Sequence, residues 1–146
     1  MELEDVRLHL LAQHDTIRKY LDEVRVLSKG DGRAQSQALR EALERLRAIV
    51  VDHCLTEEAL LGPLLATVDA WGAVRVRLMD REHGVEHERL LRDLEGFILS
   101  SSPAERIAAV RAMSDELREH MDEEEKHLLS PRVLTYDVVR IGQAAG

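Results

Sequence analysis

Apolar residues recur at helical intervals in four separate stretches of the chain. From Leu3 to Ser28 they fall at 3, 6, 10, 17, 21 and 24, spacings that keep one helical face apolar. His14 fills the one gap in that stripe, between Leu10 and Ile17, whereas His9 falls off it and reads as a surface residue. Lys29-Gly30-Asp31-Gly32 then breaks the helix. A second helix, from about Gln35 to Leu65, carries the stripe Leu39, Leu43, Leu46, Val50, His53, Glu57, Leu60, Leu64. The third begins within Asp69 to Val76 and ends near Ser100, with Val76, Met79, His83, His87, Leu90, Leu94 and Phe97 inward. Ser100-Ser101-Ser102-Pro103 predicts a turn in which Ser102 is an N-cap, Pro103 the first helical residue and Glu105 the partner in a capping box. The fourth stripe is Val110, Met113, Leu117, His120, Glu124 and Leu128, ending at Ser130-Pro131.

Four amphipathic helices joined by short turns predict an all-α fold: an up-down-up-down antiparallel four-helix bundle over residues 1–131 with a short C-terminal tail, 132–146. The tail holds Leu134, Val138, Val139 and Ile141, enough to pack a short segment before a Gln-Ala-Ala-Gly end that should fray. A length of 146 residues suits one domain with its own core. One Trp, one Phe and two Tyr make that core aliphatic. The net charge of −8 argues against nucleic acid and anionic membranes, both of which attract basic surfaces. No apolar run approaches the roughly 20 residues of a membrane span, and the N-terminus does not read as a signal peptide. The single cysteine, Cys54, makes no intrachain disulfide, and a cytoplasmic address is expected. Cys54, beside His53, reads as a buried or idle thiol, with a redox-active one as the alternative.

Polar residues on the inner stripes change this plain picture. Five of the seven histidines, His14, His53, His83, His87 and His120, take core positions, and Glu57 and Glu124 each stand one turn after a histidine. Burying an ionised Glu without a partner costs several kcal/mol, so a cation is expected inside. His83 and His87, four residues apart, project from one helix face as two nitrogen ligands for one ion would. His83 and His120 lie equally far from the Ser101/Ser102 turn, so they share a level. His14 is 17 residues before Asp31 and His53 is 22 after it, a mismatch of about one turn that the glycine loop can absorb. Five imidazoles and two carboxylates exceed a tetrahedral zinc site. Two bridging carboxylates, a bridging oxygen and those imidazoles fill all but one position of two octahedral ions, and the open position suits a small diatomic molecule. Imidazole with carboxylate is compatible with iron, manganese or zinc. Paired Glu-x-x-His motifs of ferritin-type bundles are not the pattern, since that spacing occurs once, at Glu124 and His127.

The order His14, His53-x-x-x-Glu57, His83-x-x-x-His87 and His120 with a nearby acid resembles the hemerythrin and hemerythrin-like (HHE cation-binding) proteins. Gln13-His14-Asp15-x-Ile17-Arg18 and Glu57-Glu58-x-x-Leu61-x-Pro63 carry the likeness further, over residues 1 to about 131. The resemblance implies two iron ions with a bridging oxygen: His83, His87 and His120 on one, His14 and His53 on the other, bridged by Glu57 and an acid after His120. Glu123-Glu124-Glu125 offers two choices for that acid. Helix geometry points to Glu124, and the distance back from Pro131, matched to that of Glu57 from Pro63, points to Glu125. His127 is a candidate outer partner or a plain surface residue. The leading expectation is reversible binding of O2, or of another small diatomic ligand, for storage, delivery or sensing. The alternatives are an enzyme acting on nitric oxide or peroxide or in iron–sulfur repair, and an iron sensor that works through a protein partner.

Overall fold

The computed structural model describes residues 2–30, 32–61, 63, 89–90, 92–93, 96, 102–127 and 129–130. Among these residues all regular structure is helical. Helix α1 spans Leu3–Ser28, α2 spans Arg33–Thr56 and continues as a π-helical turn, Glu57–Leu61, and α3 spans Pro103–His127. α3 is the segment predicted as the fourth helix. The predicted third helix lies outside the described residues except for positions 89, 90, 92, 93 and 96, which are helical. The predicted tail, 132–146, lies outside them entirely.

Local chemistry sets the helix ends. The Glu2 N–H donates to the Asp5 carboxylate at 3.3 Å at the start of α1. The Glu105 N–H donates to Ser102 Oγ at 3.4 Å, and Pro103, which needs no N–H partner there, opens α3. Gly32, the N-cap of α2, sits at φ 99° and ψ 170°, a conformation open almost only to glycine.

Contacts fix the helix directions. Along α1, His14 meets His53 and Glu23 meets Arg45, so α2 runs antiparallel to α1. Arg18 meets Glu125 and Asp22 meets Arg118, so α3 is antiparallel to α1 as well. Arg106 donates to Ser36 near one end, and His53 faces Glu124 near the other, so α2 and α3 run parallel. Between them lies an aliphatic core of Leu10, Ile17, Leu21 and Val24 from α1, Leu39, Leu43, Leu46 and Val50 from α2, and Val110, Met113, Leu117 and Met121 from α3. Leu90 is buried in the same core, and its neighbour Arg89 pairs with Glu116 of α3.

Two expectations are corrected. The one-turn mismatch between His14 and His53 is taken up by an overhang of α2 and not by the glycine loop alone. Residues 33–37 are exposed beyond the end of α1, and the first buried residue of α2 is Leu39. The second correction concerns the end of the second stripe. The π-helical turn adds a residue per turn relative to an α-helix, so Leu61, fully buried, takes the inward place expected of Leu60, which is only half-buried.

Replacing Gly32 by Ala should destabilise the protein by about 1–3 kcal/mol. No atom lies within 4 Å of the added Cβ, so the whole effect is backbone strain. A denaturant titration that shows no loss would mean that the α1–α2 turn relaxes to a conformation any residue can adopt.

Candidate metal centre

Each helix delivers one or two polar side chains to a common point within the core. His14 occupies the gap in the apolar face of α1, between Leu10 and Ile17. His53 ends the buried face of α2, and Glu57 opens the π-helical turn. Glu124 lies two turns beyond Leu117 on α3. All four are buried, and their ligand atoms lie within 4.8 Å of one another. His14 Nε2 is 3.1 Å from His53 Nε2, with the rings tilted at 59°. Glu57 Oε1 lies 3.3 Å from His53 Nε2.

Glu124 has two differently directed oxygens. Oε1 is 3.1 Å from His14 Nε2 and 3.4 Å from His53 Nε2. Oε2 is 3.2 Å from the Nε2 of His120, one turn back on α3, whose side chain is 10% exposed at the margin of the cluster. One carboxylate therefore faces two imidazoles on one side and a third on the other. His83 and His87 lie outside the described residues.

Electrostatics hold the cluster in a charged state. Burial opposes the charge of Glu124, but its contacts within the cluster, among them the imidazoles of His120, His14 and His53, hold it well below the usual carboxylate range. Burial alone would depress His53, yet its hydrogen bonds to Glu124 and Glu57 prevail and raise it to about 9. Cys54 is pushed up, first by burial and then by the Glu57 and Glu124 charges. In the metal-free protein its thiol stays protonated at neutral pH.

A set of outer partners was not anticipated from the sequence. His53 Nδ1 lies 2.9 Å from Gln13 Oε1, and Gln13 Nε2 donates to Asp52 Oδ2 and Thr56 Oγ1, each at 3.2 Å. His14 Nδ1 lies 3.4 Å from Glu125 Oε1, and Glu125 is gripped by Arg18 through contacts of 3.1 and 2.5 Å. Arg18 also reaches Asp122 at 3.1 Å. The three adjacent acids thus part ways: Glu123 pairs with the exposed His127, Glu124 enters the cluster, and Glu125 stands behind His14. His9 is exposed, as its position off the stripe implies. The available signal was positional. Gln13 is next to His14, and Arg18 stands four residues after it, on the flank of the same stripe.

These residues fit a metal ion. Both histidines at the centre turn Nε2 inward; His53 Nδ1 meets the Gln13 amide oxygen at 2.9 Å, the arrangement that metal-bound imidazoles adopt, and His14 Nδ1 faces Glu125 Oε1 at 3.4 Å without a hydrogen bond. The inward atoms are imidazole nitrogens and carboxylate oxygens, a donor set for iron, manganese or zinc. The model of the hemerythrin HHE cation binding domain matches residues 7–130. The chain belongs to the hemerythrin family. No curated protein and no solved structure matches it. In this hemerythrin-like protein the buried His/Glu cluster is a site able to bind metal, and among the described residues no helix is long and apolar enough to cross a membrane.

Opposite pH trends should follow for metal-free stability and for metal binding. The raised value of His53 means that its protonated form stabilises the metal-free fold fully below about 6.5, and that this contribution is lost as pH rises through about 9. A metal ion must displace the proton on the inward nitrogen, so affinity should climb over the same window. Thermal melts and metal titrations at matched pH values check both trends. A metal affinity that stays flat from pH 6.5 to 9 would show that His53 is not a ligand.

Proposed function

We propose that the chain is a non-haem di-iron protein that binds O2 reversibly, for storage, delivery or sensing. In this reading residues 1–131 form an up-down-up-down four-helix bundle, and its third helix supplies His83 and His87. His14 and His53 would hold one iron, and His83, His87 and His120 the other. Glu57 and Glu124 would be shared, together with a bridging oxygen. The observation that carries the dinuclear reading is the division of Glu124, with Oε1 toward His14 and His53 and Oε2 toward His120. A carboxylate serving one ion has no need to address imidazoles on both sides.

When bound, a di-iron(II) pair supplies two electrons that O2 can take up and return. The chain's own part is to hold the ions, leave one position open and keep water away. Leu10 and Ile17 flank His14 on α1, Val50 lies one turn before His53, and Leu117 one turn before His120. All four are buried, with at most 3% of their surface exposed. An apolar wall of this kind slows the arrival of protons and water, which would otherwise turn reversible binding into consumption of the ligand. A nitrogen-dominated ligand set supports the carrier over the enzyme reading by analogy with carboxylate-rich oxidative sites.

Protein loaded with iron should carry about two irons per chain, as two octahedral ions require, and His53→Ala should lower that sharply. Glu124→Ala should empty the site, and Glu125→Ala should leave most of the metal in place. One iron per chain, or the reverse order of the two Glu variants, would overturn the ligand assignment.

The reduced protein should change its visible absorption on exposure to air and recover when oxygen is removed, through several cycles. Irreversible change on first exposure would favour an enzyme of nitric oxide or peroxide chemistry or an iron sensor. No change in a verified di-iron(II) sample would exclude O2 binding.

A further inference from the structure

Outside the cluster, His53 is tied to the surface by a short chain of polar groups in which every donor and acceptor can be assigned. Asp52 is a carboxylate and can only accept. Thr56 Oγ1 donates its one proton to the Asp52 backbone carbonyl at 2.7 Å, so toward Gln13 it too can only accept. The Gln13 atom that meets both of them, at 3.2 Å each, is therefore the amide nitrogen. The opposite end of the same amide is then the oxygen, and it lies 2.9 Å from His53 Nδ1. An amide oxygen cannot donate. His53 Nδ1 must carry a hydrogen, and in the neutral ring Nε2 is left with its lone pair directed at the cluster.

We propose that Gln13, oriented by Asp52 and Thr56, is a positioning residue that locks His53 in the Nδ1–H tautomer, the only neutral form able to present Nε2 to a metal ion. The lock reaches the site from the rim of the bundle: Asp52 is exposed and Thr56 half-buried, whereas Gln13 is 7% exposed. It orients the imidazole before any ion arrives, so binding need not select the correct tautomer. The significance for metal rests on the reading of the cluster as a metal centre, but the tautomer itself does not.

The test uses the full chain with histidine labelled in 15N, metal-free, at a pH above the His53 value of about 9 so that the ring is neutral. The Nδ1–H and Nε2–H forms differ in their 15N shifts, and His53→Ala identifies the signal. Affinity for Zn2+ alone is measured on the same samples. Wild-type protein should show His53 as Nδ1–H. Gln13→Glu combined with Asp52→Asn keeps an acceptor toward His53 and supplies a side-chain donor at position 52 to hold it, so it should keep that tautomer and bind Zn2+ within about threefold of wild type. Gln13→Met keeps the volume and removes the acceptor, so it should populate the Nε2–H form and weaken Zn2+ binding roughly tenfold. If Gln13→Met fails to fold, Asp52→Ala with Thr56→Val changes only the exposed and half-buried positions and frees the Gln13 amide to rotate. It should produce the same mixed tautomers and weaker binding. Retention of the Nδ1–H form and full affinity in Gln13→Met, or in Asp52→Ala with Thr56→Val, would overturn the proposal. So would an equal loss in Gln13→Glu with Asp52→Asn, since packing and not the acceptor would then be responsible. A wild-type chain that binds no Zn2+ or iron would remove the metal centre, while the NMR measurement would still decide the lock.

Discussion

Two carboxylates buried among aliphatic side chains are the constraint on which the molecule depends. Glu57 and Glu124 are each at most 2% exposed, and bringing a carboxylate into such surroundings without partners costs several kcal/mol. The chain answers with imidazoles drawn from three helices, and each must arrive at the same level within a fraction of a helical turn. The core exists to make that coincidence stable. Apolar layers lie next to the site, with Leu10 and Ile17 one turn on either side of His14 and Leu117 two turns before Glu124. A bundle with the same apolar surface and a different register would bury the acids away from their partners. The acids therefore penalise every register but this one.

The register is set mainly by the core and trimmed by the surface. Glu23–Arg45 at 2.6 Å and Asp22–Arg118 at 2.6 Å join α1 to each of its neighbours, but both pairs are well exposed and such pairs contribute up to about 1 kcal/mol. Arg18 differs from them. It is half-buried, it contacts Asp122 and Glu125 together, and Glu125 in turn touches His14. One guanidinium thus links the outer charge network of α1 and α3 to the inner cluster. It also keeps the Glu125 carboxylate outside the cluster, where a third acid would add like charge to Glu57 and Glu124.

The apolar stripes were legible because their period is long and sustained, and every stripe position of α2 from Leu39 to Glu57 faces inward as its spacing implies. His14 was legible because it interrupts an otherwise apolar face. Gln13 and Arg18 stood in the motif around His14, but what they do was not legible, because polar residues beside a stripe are common on any amphipathic helix. Only the tertiary contact of Gln13 with Asp52 and Thr56, some 40 residues away, gives it a role. His14 and His53 do meet at one level, but the way the one-turn mismatch is absorbed was misjudged for a related reason. A count along the chain assumes that both helices begin packing where they begin being helical, and α2 does not.

The π-helical turn has a local cause that the sequence contains in a form easily overlooked. A proline ring crowds the carbonyl four residues earlier, which for Pro63 is that of Ala59, in the middle of Glu57–Leu61. Widening that turn relieves the crowding, and it carries Leu61 rather than Leu60 into the core. Pro131 stands in the same relation to His127, but there α3 stops, and the Leu129 N–H donates to the Glu124 carbonyl, five residues back, at 2.9 Å. The two acids are therefore each followed by a widened turn, yet the turns are built differently. One continues a helix and the other ends it. Equal spacing from a proline consequently does not select equivalent acids: six residues before Pro63 lies the buried Glu57, and six before Pro131 lies Glu125, clasped by Arg18. The face of the helix, which the turn leaves undisturbed up to Glu124, selects the inward acid where the proline count does not.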